Sequence, residues 1–430
     1  MAAPPVVQSA VVPHDESTPP SSAEIAQPSK PLPIPPKPLP SPPTTEPIVA
    51  IRIAELTATA PVVVDAAGGR LRVSSVDGSL SDAPWNAAAP IEIQVHDDGW
   101  RVRARGAPDR TIASGELVIN TPSGTGDPLM WNKKSWPGAL RLVRTRTGVD
   151  LVMDVPMESY LPGVIAKELY GSWNPETFRA QAIAARSYAV VEEARWQGRR
   201  HYDMVAGQQS QAWMGATENP KAVAAVRETR GQVLVHDGVV VAAYYSSACG
   251  GRPASALGVV TDNPFHDIAP LRAGDGSSRT SCCQSTSVAS WKVTIPLATI
   301  QSRVQSWGRG TGRADLAAAQ VPTAIEVAHK NAANRATQIR LRSRTGETLT
   351  IEAEDFRRAM NAAGDAKTSL KSSDFAVRIS GKNAELTGRG FGHGVGLCQH
   401  GAQEMSRRGH SHQQILARYY PGSTVVKAWN

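Results

Sequence analysis

From about Ser17 to Pro47 the chain is dominated by proline, reading Pro-Leu-Pro-Ile-Pro-Pro-Lys-Pro-Leu-Pro-Ser-Pro-Pro over residues 31–43. Proline fixes φ and has no N–H to donate, so this stretch can enter neither a helix interior nor a central strand. It has the composition of a stiff polyproline II spacer. With almost no apolar period to bury, residues 1–47 are expected to form a disordered arm, and folding has to begin at about Ile48. An SH3-type ligand would have the same composition, so spacer and peptide ligand look alike here.

Short β-type runs follow: Ile48–Ile53, Pro61–Val64, and Ile91–Val95 joined through Asp97-Asp98-Gly99 to Trp100–Arg103. An Asp-Gly step between alternating runs is a hairpin signal. Residues 48–114 therefore read as a β-rich platform without catalytic motifs. Leu140–Val143 and Val149–Met153 continue the strands.

A helical period then begins. Leu161, Val164, Ile165, Glu168 and Leu169 fall at i, i+3, i+4, i+7 and i+8, so one helix face carries four aliphatics and one carboxylate. Burial disfavours an ionised carboxyl and raises its pKa, the condition for proton donation near neutral pH. Glu168 is the candidate general acid; the alternative is a side chain that snorkels outward or pairs with Lys167 or Arg179. Glu158 lies in the first turn after Pro156, where a carboxylate meets unsatisfied N–H groups, and reads as a capping residue.

Asn174-Pro175 opens a second, alanine-rich helix running to about Trp196. Its small residues predict a buried central helix. Gln181 and Tyr188, seven apart, are either core hydrogen-bonders or the lining of a polar cleft. Arg186 faces another side and is most simply explained by an ion pair. Asn219-Pro220 starts a further helix, followed by a hairpin over Val233–Val241 with Asp237-Gly238 at its turn. The second strand leads into Tyr244-Tyr245-Ser246-Ser247-Ala248-Cys249-Gly250-Gly251. Aromatic faces, hydroxyls and a glycine pair suit a sugar site, although an ordinary strand exit has the same look.

Glycines at 388, 390, 392, 394 and 396 surround His393. The run fails both the dinucleotide fingerprint and the P-loop pattern. It is expected to form an extended, exposed backbone offering His393 to a polymer, or else a flexible turn. His393, Cys398, His400 and Cys249 can supply metal ligands, yet no C-x-x-C or H-x-x-x-H spacing supports zinc.

The net charge of +8 favours a polyanionic partner: nucleic acid, anionic lipid or the acidic polymers of a cell wall. Basic residues are spread along the chain without a nucleic-acid signature, so wall polymer fits better than nucleic acid. No segment approaches the ~18 apolar residues of a membrane span. The start, Met-Ala-Ala-Pro-Pro, lacks the basic and apolar parts of a secretory signal, which was either removed or never there.

The words MESYLPGVIAKEL, ETFRAQAIAARSYAV, SQAWMG, YYSSACGG and GRGFGHGVGLCQHGA, in that order over roughly residues 115–430, resemble the stage II sporulation protein D and LytB (amidase enhancer) family. The resemblance implies an extracytoplasmic, cell-envelope protein acting on peptidoglycan. Members similar to sporulation protein D are lytic transglycosylases that cut glycan strands; LytB-like members are enhancers of a cell-wall amidase. It also implies Glu168 as the catalytic group and Gln181, Arg186, Tyr188, Gln211, Tyr245, Ser247, Gly250, Gly251, His393 and Gln399 as substrate contacts. Some relatives carry zinc in the segment that here reads His201–Gln211, but no cysteine stands there, so neither a metal nor a cofactor is expected. Cys398 and His400 stand where relatives usually show a non-cysteine residue and tryptophan. In an exported protein the four cysteines can form disulfides; Cys249 to Cys282 or Cys283 is the favoured pair among three complete pairings. The expected fold is α+β, a β-rich platform followed by a mixed α/β catalytic-type domain with a substrate cleft. Residues 296–380 are expected to complete it.

Overall fold

The computed structural model describes residues 35–430 except 77–83, 98, 123–126, 208–209, 275–282, 284–285 and 287. The fold is α+β. Eight α-helices are present among the described residues: α1 Met157–Glu168, α2 Pro175–Trp196, α3 Pro220–Glu228, α4 Leu297–Thr311, α5 Ala314–Ala317, α6 Ala353–Asn361, α7 Gln399–Arg407 and α8 His412–Tyr419. None is long and apolar enough to cross a membrane.

The N-terminal half is built from strands. One sheet orders Met204–Val205, Ile48–Thr57, Gly148–Pro156, Ala139–Arg144, Glu116–Asn120, Arg70–Ser75 and Trp85–Ala88; a second holds Val62–Ala66 beside the hairpin Ile91–His96/Gly99–Ala104. Alternation explains the faces: Val62, Val64, Ile91 and Ile93 are buried, whereas Val63 is exposed. The strand Gly148–Pro156 carries the chain directly into α1, so the platform fixes where that helix starts.

α2 is the hub, packing against α1, α3, α7, α8 and the hairpin strand Gln232–His236. Ala180, Ala182, Ala184, Ala185 and Ala189 are all buried; their small side chains let these elements approach closely. The hairpin turns at Asp237 (φ 48°) and Gly238 (φ 80°), the two positive φ values of a type I′ turn.

Residues 290–389 have a hydrophobic core of their own, formed by two three-stranded sheets with α4, α5 and α6 around Ile300, Val304, Ile339, Phe356 and Leu386. The stretch expected over 115–430 thus rests on two cores.

The proline-rich arm does not end at residue 47 as expected. Residues 35–47 lie on the body: Leu39 joins the main core, the Val240 N–H donates to the Pro40 carbonyl at 2.8 Å, and Lys37 Nζ donates to the Ala194 carbonyl at 2.9 Å. Proline keeps its carbonyl, so an arm that cannot join a sheet can still accept bonds from one. The expectation of a spacer over residues 1–34 lies outside the described residues.

Candidate functional site

Glu168 closes α1. Leu161, Val164, Ile165 and Leu169 are buried on the face toward the core, which holds the last turn down and leaves the Glu168 carboxylate half-buried. Two neutral donors meet it: the Ala212 N–H at 3.3 Å and the Gln399 amide Nε2 at 3.2 Å. Burial pushes the carboxyl pKa above its ordinary value, against the opposing pull of Gln399, Ala212 and the exposed Lys167. Arg179 is engaged elsewhere, with Glu176 and Glu228. The Ala212 donor arrives because position 163 is glycine: a Cβ there would stand 2.2 Å from the Gly215 carbonyl oxygen and 2.7 Å from Trp213 Nε1. Removing that glycine would lift the 210–215 loop off the helix.

A cavity of about 560 Å³, which Glu168 itself does not line, is walled by Tyr188, Tyr244, Tyr245 and His393 from one core and by Trp307, Glu354 and Arg357 from the other. The volume is in the range of small-ligand sites. Tyr245 connects the two features: it lines the cavity, and burial, with the Glu168 charge second, holds its hydroxyl well above the usual tyrosine range. His393 Nδ1 accepts the Val395 N–H at 3.0 Å, and burial lowers the ring pKa to about 4, so it is a neutral group at pH 7. Gly250 lines a separate cavity of about 790 Å³ with Arg252, Asp374 and Arg389.

The structure brings Glu168, Gln399 and Tyr245 together, with Tyr188 and His393 in the adjoining wall. Other sequence candidates are placed differently. Arg186 is fully buried and donates to both Glu158 oxygens, Nε–Oε1 3.0 Å and Nη2–Oε2 2.7 Å, and to the Gln232 carbonyl at 3.2 Å. It is an ion-pair residue out of a substrate's reach. Gln181 is also fully buried, and neither of its amide atoms has a hydrogen-bond partner among the described residues. Gln211 is enclosed, accepting from the Tyr160 hydroxyl at 3.0 Å and donating to the Ala185 carbonyl at 3.1 Å, so it braces α1 against α2. Ser247 presents its carbonyl to the His400 N–H at 3.0 Å. Gly250 and Gly251 take φ of 67° and 79° and are buried.

Two readings of individual residues change. Glu158 is not the cap of its own helix: its carboxylate faces Arg186 and the Gly231 N–H, while Glu46 from the arm accepts the Glu158 N–H at 3.0 Å. The glycine run is not an open track. A Cβ at Gly390 would meet the Ala248 carbonyl at 2.5 Å, at Gly392 the Ser246 Cβ at 2.8 Å, and at Gly396 the Tyr244 carbonyl at 2.0 Å. These glycines let the run pack on residues 244–248, which is how Gln399 is delivered to Glu168.

Sequence reasoning missed the aromatic group formed by Tyr170, Trp173 and His400, with the His400 and Trp173 ring centroids 4.9 Å apart in an edge contact. Tyr170 and Trp173 follow Glu168 closely in the chain and His400 follows Gln399; Tyr170 is exposed and the other two are half-buried. Trp307, Glu354 and Arg357 were also missed, because no motif marks them.

Cys249, Cys283 and Cys398 are buried with their sulfurs all within 4.8 Å of one another. The favoured pairing with Cys282 lies outside the described residues. Cys283 does stand beside Cys249, and Cys398 joins them unexpectedly.

In this α+β chain the Glu168 helix and the central α2 both fall within residues 145–236, the stretch matched by the family model for the Stage II sporulation protein. The chain carries that family's domain, as its motifs imply. A domain of unknown function matches residues 278–396, the second core. Among individual proteins, the chain is 26% identical over 310 residues to the stage II sporulation protein D of Bacillus subtilis (strain 168), covering 66% of this chain and 78% of that one. It is 26% identical over 294 residues to the amidase enhancer of the same organism, covering 62% of this chain and 40% of that one. An uncharacterized protein of Brachyspira hyodysenteriae is 25% identical over 303 residues, covering 70% and 75%.

Proposed function

We propose that the protein is a peptidoglycan lytic transglycosylase that works outside the cytoplasm, with Glu168 as its general acid and base. The observation that carries this reading is the half-buried Glu168 carboxyl, raised in pKa by burial, held by two neutral donors, and close enough to the cavity-lining Tyr245 for its charge to act on that hydroxyl. Hydrolysis of a glycosidic bond usually needs two carboxyls. Lytic transglycosylation needs one, because the substrate's own muramic 6-hydroxyl attacks the anomeric carbon. Protonated Glu168 delivers its proton to the bridging oxygen as that bond breaks; the carboxylate left behind takes the proton of the 6-hydroxyl, and a 1,6-anhydro ring closes. The aromatic faces of Tyr170 and Trp173 suit the flanking pyranose rings. This chemistry requires no cofactor.

A second reading is favoured by the similarity to a protein named amidase enhancer: a wall-binding, non-catalytic partner of a cell-wall amidase. Incubation with purified peptidoglycan and mass spectrometry of the products separates the two. Anhydro-muramic ends that disappear with Glu168→Gln support the enzyme. Wall binding with no new ends supports the enhancer, and cleavage abolished by Glu158→Gln but not by Glu168→Gln in folded protein removes Glu168 from its role.

A further inference from the structure

We propose that Cys249, Cys283 and Cys398 form a thiolate site for a divalent ion of the zinc class. The three sulfurs come from distant parts of the chain: the turn after the strand Tyr245–Ser246, residue 283, and the position preceding α7. All three pairs lie within 4.8 Å. Tetrahedral zinc with Zn–S near 2.3 Å places its sulfurs roughly 3.8 Å apart, so small side-chain shifts close the site.

The surroundings suit a metal-bound thiolate. The Cys398 sulfur accepts N–H bonds from Cys249 and from Gly401, each at 3.4 Å, and sits at the positive end of α7. Such donors to a ligand sulfur are the outer shell that orients a thiolate toward its ion. Binding replaces thiol protons, which pass to solvent, and three sulfurs leave a fourth place on the ion for water or a further donor. The site is separate from the acid–base chemistry, yet Cys398 immediately precedes Gln399 and pairs in register with Ser246. An ion there ties the strand Tyr245–Ser246 to α7, which bears the donor to Glu168.

The test is a titration of the full-length reduced protein with Co²⁺ without oxygen. One equivalent per chain is expected, with a sulfur-to-cobalt charge-transfer band and the visible bands of a tetrahedral complex, both bleached by Zn²⁺. Cys283→Ser and Cys398→Ser should each weaken cobalt binding at least tenfold and reduce the charge-transfer band. Reduced wild-type protein that gives no such band overturns the proposal whether or not the variants fold. So does a band that survives both substitutions, or peptide mapping that finds a Cys249–Cys283 disulfide in protein that takes up no cobalt after reduction.

Discussion

Glu158→Gln is expected to destabilise the protein by about 3–5 kcal/mol, the cost of removing one partner of a buried ion pair. A carboxylate in a helix's first turn, as the sequence suggested, would cost only about 0.3–1 kcal/mol. The difference follows from placement. Arg186 is wholly enclosed and the Glu158 side chain is 7% exposed, joined by a two-pronged contact at 2.7–3.0 Å. Glutamine keeps the shape but leaves the guanidinium without its partner charge, and burial, the first cause acting on it, already holds the Arg186 pKa below its usual value. The nearby Arg230 adds repulsion, which Glu46 offsets only in part. Urea denaturation followed by tryptophan fluorescence at pH 7 measures the loss. Because the pair is buried, about 1 M NaCl should leave most of it in place, whereas a surface charge effect would be screened. Replacing both partners, Glu158→Leu with Arg186→Met, should recover most of the stability, since no uncompensated charge remains. A loss below about 1 kcal/mol, or one that vanishes in high salt, would falsify the buried-pair argument.

Truncation separates the two parts of the arm. Deleting residues 1–47 removes the buried Leu39, the Pro40 acceptor and the Glu46 cap of α1, and should cost roughly 3 kcal/mol from apolar burial and capping together. Deleting only residues 1–34 should leave the melting temperature within error; equal losses from both truncations would contradict this division. For Glu168, the folded-state pKa lies above the ordinary carboxyl value, so the folded state binds its proton more tightly than the unfolded chain. That contribution is full at low pH and is lost as pH rises through the raised pKa. Glu168→Gln should therefore melt at a higher temperature than wild type near pH 8 and lose that advantage near pH 4, and wild-type cleavage should decline over the same rise in pH. A lower melting temperature for Glu168→Gln at both pH values refutes the desolvated carboxyl.

Local signals were legible in the sequence where one segment carries all the physics. Asp237-Gly238 specifies its turn because those two positions alone need positive φ. Asn174-Pro175 and the alanine run of α2 specify a buried helix, and the spacing of Leu161, Val164, Ile165 and Leu169 brings Glu168 to the edge of the core. The motif order placed the chain near stage II sporulation protein D and the amidase enhancer. What the tertiary structure alone decided depends on partners distant in the chain. The period of α1 does not say that Glu158 meets Arg186 or that Glu46 caps the helix. Nor does the spacing of α2 show that Gln181 is enclosed by packing, or the loop sequence that Gln211 is. The alternating glycines look open until the strand they pack against is known. Cys249, Cys283 and Cys398 belong to no spacing pattern, since each comes from a different segment. Periodicity and turn chemistry act over a few residues and are written in the chain locally, whereas burial, ion pairing and ligand clusters depend on which remote segments the fold makes neighbours.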